Sequence, residues 1–123
     1  MQYLLLIYDD ERQWARLSQT EMEKMYKEYM QYTKALVDSG VMRAGSQLQP
    51  TSAATTVRKR NGKVTTVDGP FAETKEQLGG YYLIEVPSLE QALDWAAKCP
   101  GAANGSLEVR PLVPNEGERP GKN

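Results

Sequence analysis

The chain of 123 residues contains no histidine, and this absence removes several classes of function. Without imidazole, a Ser–His or Cys–His nucleophile pair cannot form within the chain, and neither can a histidine-ligated zinc or iron site. A general base therefore has to be an Asp, Glu, Tyr, Lys or Cys side chain whose pKa its surroundings shift. The acidic run Asp9–Glu11 lacks the spacing of a calcium loop. We predict no metal and no other cofactor.

The chain also has a single cysteine and no excess of basic residues. Cys99 is the single cysteine, so no intrachain disulfide can form, which fits a reducing cytoplasm. We expect Cys99 to be a small buried apolar residue. The chain has 15 basic and 16 acidic residues, and this balance predicts no nucleic-acid partner. The opening MQYLLLIYDDE has only a short apolar run before its acids, so we expect neither a signal peptide nor a membrane span.

What the chain does contain is the pattern of one α+β domain over residues 1–113. Tyr3–Tyr8 is apolar on both faces, which is typical of a strand covered on both sides. Ser18 and Ser88 are each followed three residues later by Glu or Gln, so we expect capping boxes at the starts of two helices. Further core strands are predicted over 41–48, 79–86 and 106–113, and a flexible tail over 114–123.

The first predicted helix has a broad apolar stripe, which we expect to pack on the sheet. Gly40 is expected to end this helix as a left-handed cap. The stripe consists of Met22, Met25, Tyr26, Tyr29, Tyr32, Thr33, Leu36 and Val37.

Residues 55–68 predict an inserted hairpin with Asn61-Gly62 at its turn. The remaining order of strands and helices predicts a ferredoxin-like βαββαβ sandwich, with both helices on one face of the sheet. The other face would carry Tyr81 and Leu83 together with half of the apolar first strand. A second copy is the simplest cover, and we predict a homodimer whose two sheets face each other. The alternative is that the hairpin and tail of the same chain cover this face.

Several segments resemble a known family. Residues 67–86 read VDGPFAETKEQLGGYYLIEV, and the run Asp68–Phe71 resembles the signature of the DGPF group of the YCII-related proteins. MQYLLLIYDDE, GVMRAGSQLQP and GSLEVRP also resemble this family, so that the likeness reaches to about Val113.

The resemblance implies a ferredoxin-like domain that pairs into a dimeric α+β barrel. It also implies membership of a set of small proteins that includes enzymes, some with a proposed His–Asp pair and one branch acting on chlorinated hydroxylated aromatics. This chain has no histidine, and it carries Asn104-Gly105 where DGPF relatives often have His-Gly. Some relatives are encoded with sigma factors, which implies a regulatory setting.

Two carboxylates are candidate catalytic bases, and six side chains are candidate ligand contacts. Asp68 either stabilises its own turn or acts as a base at a pocket rim. Glu85 shares a predicted strand face with Tyr81, and charges on that face either line a pocket between two sheets or pair with one another. Phe71 is expected to fill the core or else to contact a ligand. The predicted ligand contacts are Tyr8, Asp9, Arg43, Phe71, Tyr81 and Arg110.

Three functions remain open from the sequence. The first is the binding of a small molecule in a pocket between the two sheets of a homodimer. The second is a non-metal enzyme that acts on a small substrate, such as an aromatic one, through a carboxylate base. The third is a regulatory partner of a transcription factor. The residues do not decide whether the protein is an enzyme.

Overall fold

The structure is a computed structural model that describes residues 1–114. The tail predicted over 114–123 lies outside this range except for its first residue. The elements in chain order are β1 Gln2–Asp9, α1 Glu11–Ala15, α2 Gln19–Asp38, β2 Met42–Gln47, a 3₁₀ turn Thr51–Ala53, β3 Thr55–Arg60, β4 Lys63–Asp68, β5 Gln77–Glu85, α3 Leu89–Lys98, α4 Gly101–Asn104 and β6 Ser106–Pro111.

Four strands form an antiparallel sheet in the order β2-β5-β1-β6. The connection from β1 through α2 to β2 passes over β5, and the connection from β5 through α3 to β6 passes over β1. The protein is thus α+β with antiparallel sheets, and this order is consistent with the predicted ferredoxin-like arrangement.

The core lies between the sheet and the helices. Leu5 on β1, Ile84 on β5 and Leu36 on α2 are fully buried. The Tyr32 hydroxyl of α2 donates to the backbone oxygen of Trp95 on α3, 2.7 Å away, and thereby joins the two long helices. Cys99 is also buried, which confirms its predicted role as a small apolar core residue.

The predicted capping box is confirmed in full at α2 and for its serine half at α3. Ser18 accepts from the backbone N–H of Glu21, whose carboxylate in turn accepts from the N–H of Ser18. Ser88 caps α3 by accepting from the N–H of Gln91. Gly40 follows α2 with φ of +73°, a left-handed conformation that favours glycine.

The apolar stripe of α2 packs less tightly than predicted. Of its eight residues, Tyr32 and Leu36 are buried, whereas Tyr26 and Val37 are exposed. The buried pair lies toward the C-terminal end of the helix, and the earlier turns border a cleft beside the sheet. A helical period identifies the face that turns inward but does not give its distance from the sheet.

β3 and β4 form a separate two-stranded sheet. Their turn is Asn61-Gly62, with φ of +53° and +76°, as the type I′ turn requires. Almost every residue of these strands is exposed, including Val57, Val64 and Val67. These strands therefore lack packing partners among the described residues. An isolated hairpin with two exposed faces is only marginally stable in water.

The sheet face opposite the helices is partly exposed. Leu4 pairs with Leu83 and Leu6 pairs with Tyr81 across the β1–β5 ladder, and all four lie on this face. We call this surface, centred on Leu4, Leu6, Tyr81 and Leu83, the open face. No helix within residues 1–114 is long and apolar enough to cross a membrane.

Candidate functional site

A cleft of about 980 Å³ lies between α2 and the helix-side face of the sheet. Its floor is formed by β1, β2 and β5, and its rim by α1 and the segment that follows β2. Apolar and aromatic side chains dominate its walls, which is typical of small-molecule sites. They include Ile7, Trp14, Met22, Tyr26, Tyr29, Met30, Val37, Met42, Leu48 and Tyr82.

Asp9 is the buried carboxylate of this cleft, with 9 % of its surface exposed. It is the last residue of β1, and strand alternation turns it to the same side as Ile7 and away from Tyr8. One of its oxygens accepts a short hydrogen bond from the indole N–H of Trp14. Burial raises the pKa of Asp9, the Trp14 hydrogen bond opposes this shift, and the nearby negative charge of Glu76 adds to it.

Trp14 is held beside Asp9 by the short helix α1. The Asp10 side chain caps this helix by accepting from the backbone N–H of Arg12 at 3.0 Å. The Trp14 ring lies 6.2 Å from the ring of Tyr26, tilted by 57°. A carboxylate therefore adjoins a corner made of two aromatic rings, one from each helix, and we call Trp14 and Tyr26 the aromatic corner.

Tyr29 lies one turn further along α2. An added β-carbon at Gly101 would lie 2.7 Å from the Tyr29 hydroxyl, so the absence of a side chain at Gly101 allows this close approach. The Tyr29 hydroxyl contacts the Cys99 thiol, and burial raises the pKa of both groups. Both groups are therefore neutral at physiological pH, and neither is an activated nucleophile or base.

Glu11 fixes the rim of the cleft. Its carboxylate accepts from the backbone N–H of Thr51 at 2.7 Å and from the Thr51 hydroxyl at 2.8 Å. The backbone N–H of Glu11 donates to the side-chain oxygen of Gln77 at 3.0 Å. These bonds tie α1 to the 3₁₀ turn and to β5, so that the segment Leu48–Pro50 is held at the opening.

Most predicted site residues lie on the open face, outside the cleft. Arg43 and Glu85 approach to 3.6 Å, and the hydroxyl of Tyr8 donates to Glu108 at 3.4 Å. Arg110 forms an ion pair with the same Glu108. The predicted catalytic base Glu85 thus forms an ion pair with Arg43. This agrees with the alternative in which the charges on this strand face pair with one another. Tyr81 is on this face by alternation and also borders the cleft.

Asp68 and Phe71 lie in the exposed part of the chain around β4. Asp68 ends β4 and is exposed, and neither residue borders the cleft. The side chain of Phe71 is 80 % exposed, so the expectation that it fills the core of its own chain is wrong. Gly69 has φ of +102° and donates its N–H to Ala54 at 2.7 Å, which supports the structural interpretation of the DGPF turn.

Glu11, Trp14, Tyr26 and Tyr29 all border the cleft, and none of them was predicted as a site residue. The N-cap of α1 is readable as Asp10 before Glu11 and Trp14, but a helix of five residues has too few periodic positions to be predicted. Tyr26 and Tyr29 were assigned to the helix stripe, and the pattern does not distinguish a core wall from a cleft wall.

The fold and the cleft together define a small α+β protein with a ligand-sized cleft between its first long helix and its sheet. The family model of the YCII-related domain matches residues 1–116, and the chain therefore belongs to the YCII-related family, as its motifs predicted. The chain is also similar to an uncharacterised protein of Rhizobium meliloti (strain 1021). The two are 42 % identical over 115 residues, which span 92 % of this chain and 93 % of the relative.

Proposed function

We propose that this protein binds a small molecule in the cleft between α2 and the sheet. The cleft carries this proposal, because it combines a volume of about 980 Å³, aromatic walls and one buried carboxylate, Asp9. Ligand sites commonly have this composition, in which an apolar lining gives affinity and a few polar groups give orientation. The sequence placed the pocket between the two sheets of a dimer instead, and that second pocket stays a prediction.

The experiment is native mass spectrometry of the protein purified from its own host, under gentle and then denaturing conditions. A retained mass that is released on denaturation would support ligand binding and give the mass of the ligand. The control is Tyr29→Trp, which adds bulk to the cleft wall and should lower the retained fraction. Ligand retention that this substitution leaves unchanged would place the ligand outside the cleft.

The protein acts as a homodimer in this proposal, with the open faces of two copies packed together. The partly exposed pairs Leu4–Leu83 and Leu6–Tyr81 support it, because an apolar sheet face needs a cover in water. The ion pair Arg43–Glu85 lies among exposed side chains at β2 and β5 and suits the rim of such an interface. Phe71 and the valines of β3 and β4 supply further apolar surface for contact with the second copy. The same surface would serve a transcription factor in the regulatory alternative.

An enzymatic role is the second candidate, and Asp9 favours it more than Asp68 or Glu85 does. Burial raises the pKa of Asp9, and a carboxylate with a raised pKa is a better proton acceptor at neutral pH. Asp68 and Glu85 are exposed and lie outside the cleft. Exchange of ligand protons with deuterated water, lost in Asp9→Asn but not in Asp68→Asn, would support this role. Exchange that survives in Asp9→Asn would contradict it.

A further inference from the structure

The charges around the cleft are unbalanced at the end where Asp9 lies. Among the described residues, the charged groups that raise the pKa of Asp9 are Glu76, Glu11 and Asp10, all of them acidic. Arg12, the nearest basic residue in sequence, forms its ion pair with Asp10 at 2.9 Å. Within residues 1–114, no basic side chain forms an ion pair with Asp9.

The one basic side chain that borders the described cleft is Lys34, and it is occupied elsewhere. Its ammonium lies 2.6 Å from the carboxylate of Asp38, one turn along α2. Lys34 also lies roughly 7.5 Å further along the helix axis than Tyr29, the tyrosine near Asp9. The Asp9 end of the cleft is therefore acidic, and the Lys34 ammonium lies toward the other end.

The aromatic corner adds a second preference of the same sign. Trp14 donates its indole N–H to Asp9, and the centroids of the Trp14 and Tyr26 rings are 6.2 Å apart, with the ring planes tilted by 57°. The faces of aromatic rings carry negative charge and attract organic cations. A carboxylate beside two such rings favours an ammonium group over a neutral or anionic one.

We infer that the ligand of this cleft is an organic cation, whose ammonium group lies beside Asp9 and the aromatic corner. Its apolar body extends along α2 past Tyr29 and Met30 toward Met42. The ligand would supply the positive charge that the described residues do not provide to Asp9. This inference rests on the proposed binding function and specifies its ligand class.

Three probes of similar size and different charge test the inference: 2-phenylethylammonium, the neutral 2-phenylethanol and the anionic 3-phenylpropionate. Binding to the full chain is measured by titration calorimetry at pH 7. We expect the cation to bind at least about tenfold more tightly than the alcohol, and the anion most weakly. The indole N–H resonance of Trp14, assigned with Trp14→Phe, should shift with the cation and thereby place the probe beside Asp9.

The variant Asp9→Asn keeps an oxygen that accepts from Trp14 but removes the charge. It should bring the affinities for cation and alcohol to within about twofold of each other. Glu90→Gln is the matched control, because it removes an exposed acid of α3 outside the cleft and should leave the preference unchanged. Tyr26→Leu, which removes one ring of the corner, should weaken the cation more than the alcohol.

The outcomes separate the two proposals. Equal or stronger binding of the alcohol or the anion, with the Trp14 resonance shifted, would overturn the cationic ligand and leave the binding function standing. A cation preference that persists in Asp9→Asn would also overturn it. If no probe binds and the Trp14 resonance stays in place, both the ligand class and the proposed binding function are wrong.

Discussion

At the scale of single residues, Asp9 links ligand recognition to stability. Its carboxylate is buried with a raised pKa, whereas in the unfolded chain it titrates near the ordinary value of 3.8. The folded state thus holds this proton more tightly. Below pH 3.8 the carboxyl is neutral in both states, and as the pH rises through the folded pKa its ionisation costs stability.

Asp9→Asn should therefore stabilise the protein at pH 7 while weakening cation binding. The gain in unfolding free energy should reach its full value above the folded pKa of Asp9, which burial raises, and should vanish near pH 3, where both side chains are neutral. Urea denaturation between pH 3 and pH 8 measures it, with Glu90→Gln as the control for loss of an exposed acid. A variant that is less stable than the parent at pH 7 would show that the charge of Asp9 stabilises the fold.

Gly105 permits the close approach of β6 to the end of β1. An added β-carbon would lie 2.1 Å from the backbone oxygen of Tyr8 and 2.9 Å from the Asp9 β-carbon. Because backbone cannot move aside as a side chain can, Gly105→Ala should destabilise the protein by about 1–3 kcal/mol or more. It should also speed amide exchange at the Tyr8–Ser106 pair, where the two strands meet.

Gly40→Ala is the comparison for Gly105→Ala. Gly40 has φ of +73° and no atom within 4 Å of an added β-carbon, so its substitution causes backbone strain of about 1–2 kcal/mol without a clash. Exchange near Tyr8 should stay unchanged in this variant. If Gly105→Ala costs less than Gly40→Ala and leaves the Tyr8 amide protected, the close contact is not important for stability.

The sequence predicted Asp9 as a ligand contact but not the face on which it lies. Asp9 stands next to Tyr8 at the end of β1, and both were expected to contact the same ligand. Alternation separates them, since Asp9 points to the helices and Tyr8 to Glu108 on the open face. The hydrogen-bond partner of Asp9 is Trp14 of α1, a helix too short to be predicted from periodicity. The cleft could therefore not be predicted directly from the sequence.

At the scale of secondary-structure elements, the ends of the helices were more predictable than their packing. Caps depend on side chains within three residues of the terminus, and Ser18, Glu21 and Gly40 act as expected. The distance of α2 from the sheet depends on residues remote in sequence. The Thr33 hydroxyl and the Tyr82 hydroxyl of β5 lie 2.7 Å apart. Together with the burial of Tyr32 and Leu36, this hydrogen bond holds the C-terminal half of α2 close to the sheet.

The link between α1 and the 3₁₀ turn should control the mobility of the cleft rim. Glu11→Ala removes both hydrogen bonds to Thr51, whereas Glu11→Gln keeps one acceptor. Hydrogen bonds to a charged group contribute about 1.5–3 kcal/mol, so amide exchange at Thr51 should speed up by about tenfold or more in Glu11→Ala. Glu11→Gln should lie between Glu11→Ala and the parent. Unchanged protection of Thr51 in Glu11→Ala would mean that other contacts hold the rim.

At the scale of the whole molecule, two surfaces of one chain are apolar without a cover among the described residues. The open face carries Leu4, Leu6, Tyr81 and Leu83, and the hairpin of β3 and β4 carries Val57, Val64 and Val67. The strand order of the four-stranded sheet was predictable, because the crossover connections through α2 and α3 allow few topologies. The position of the hairpin could not be predicted, since β3 and β4 have no single apolar face that would pack against the rest of the chain.

Leu83→Asp should convert the proposed homodimer into a monomer. Leu83 pairs with Leu4 at the centre of the open face, so a charge there would be buried unpaired between two facing sheets, at a cost of several kcal/mol. Leu89→Asp is the matched control, because Leu89 is 49 % exposed on α3, on the opposite side of the sheet. Light scattering after gel filtration gives the mass of each variant. A monomeric parent would overturn the proposed dimer outright. A Leu83→Asp variant that remains dimeric would show that the interface is not the open face but another surface. The exposed hairpin would then be tested next, with Val57→Asp.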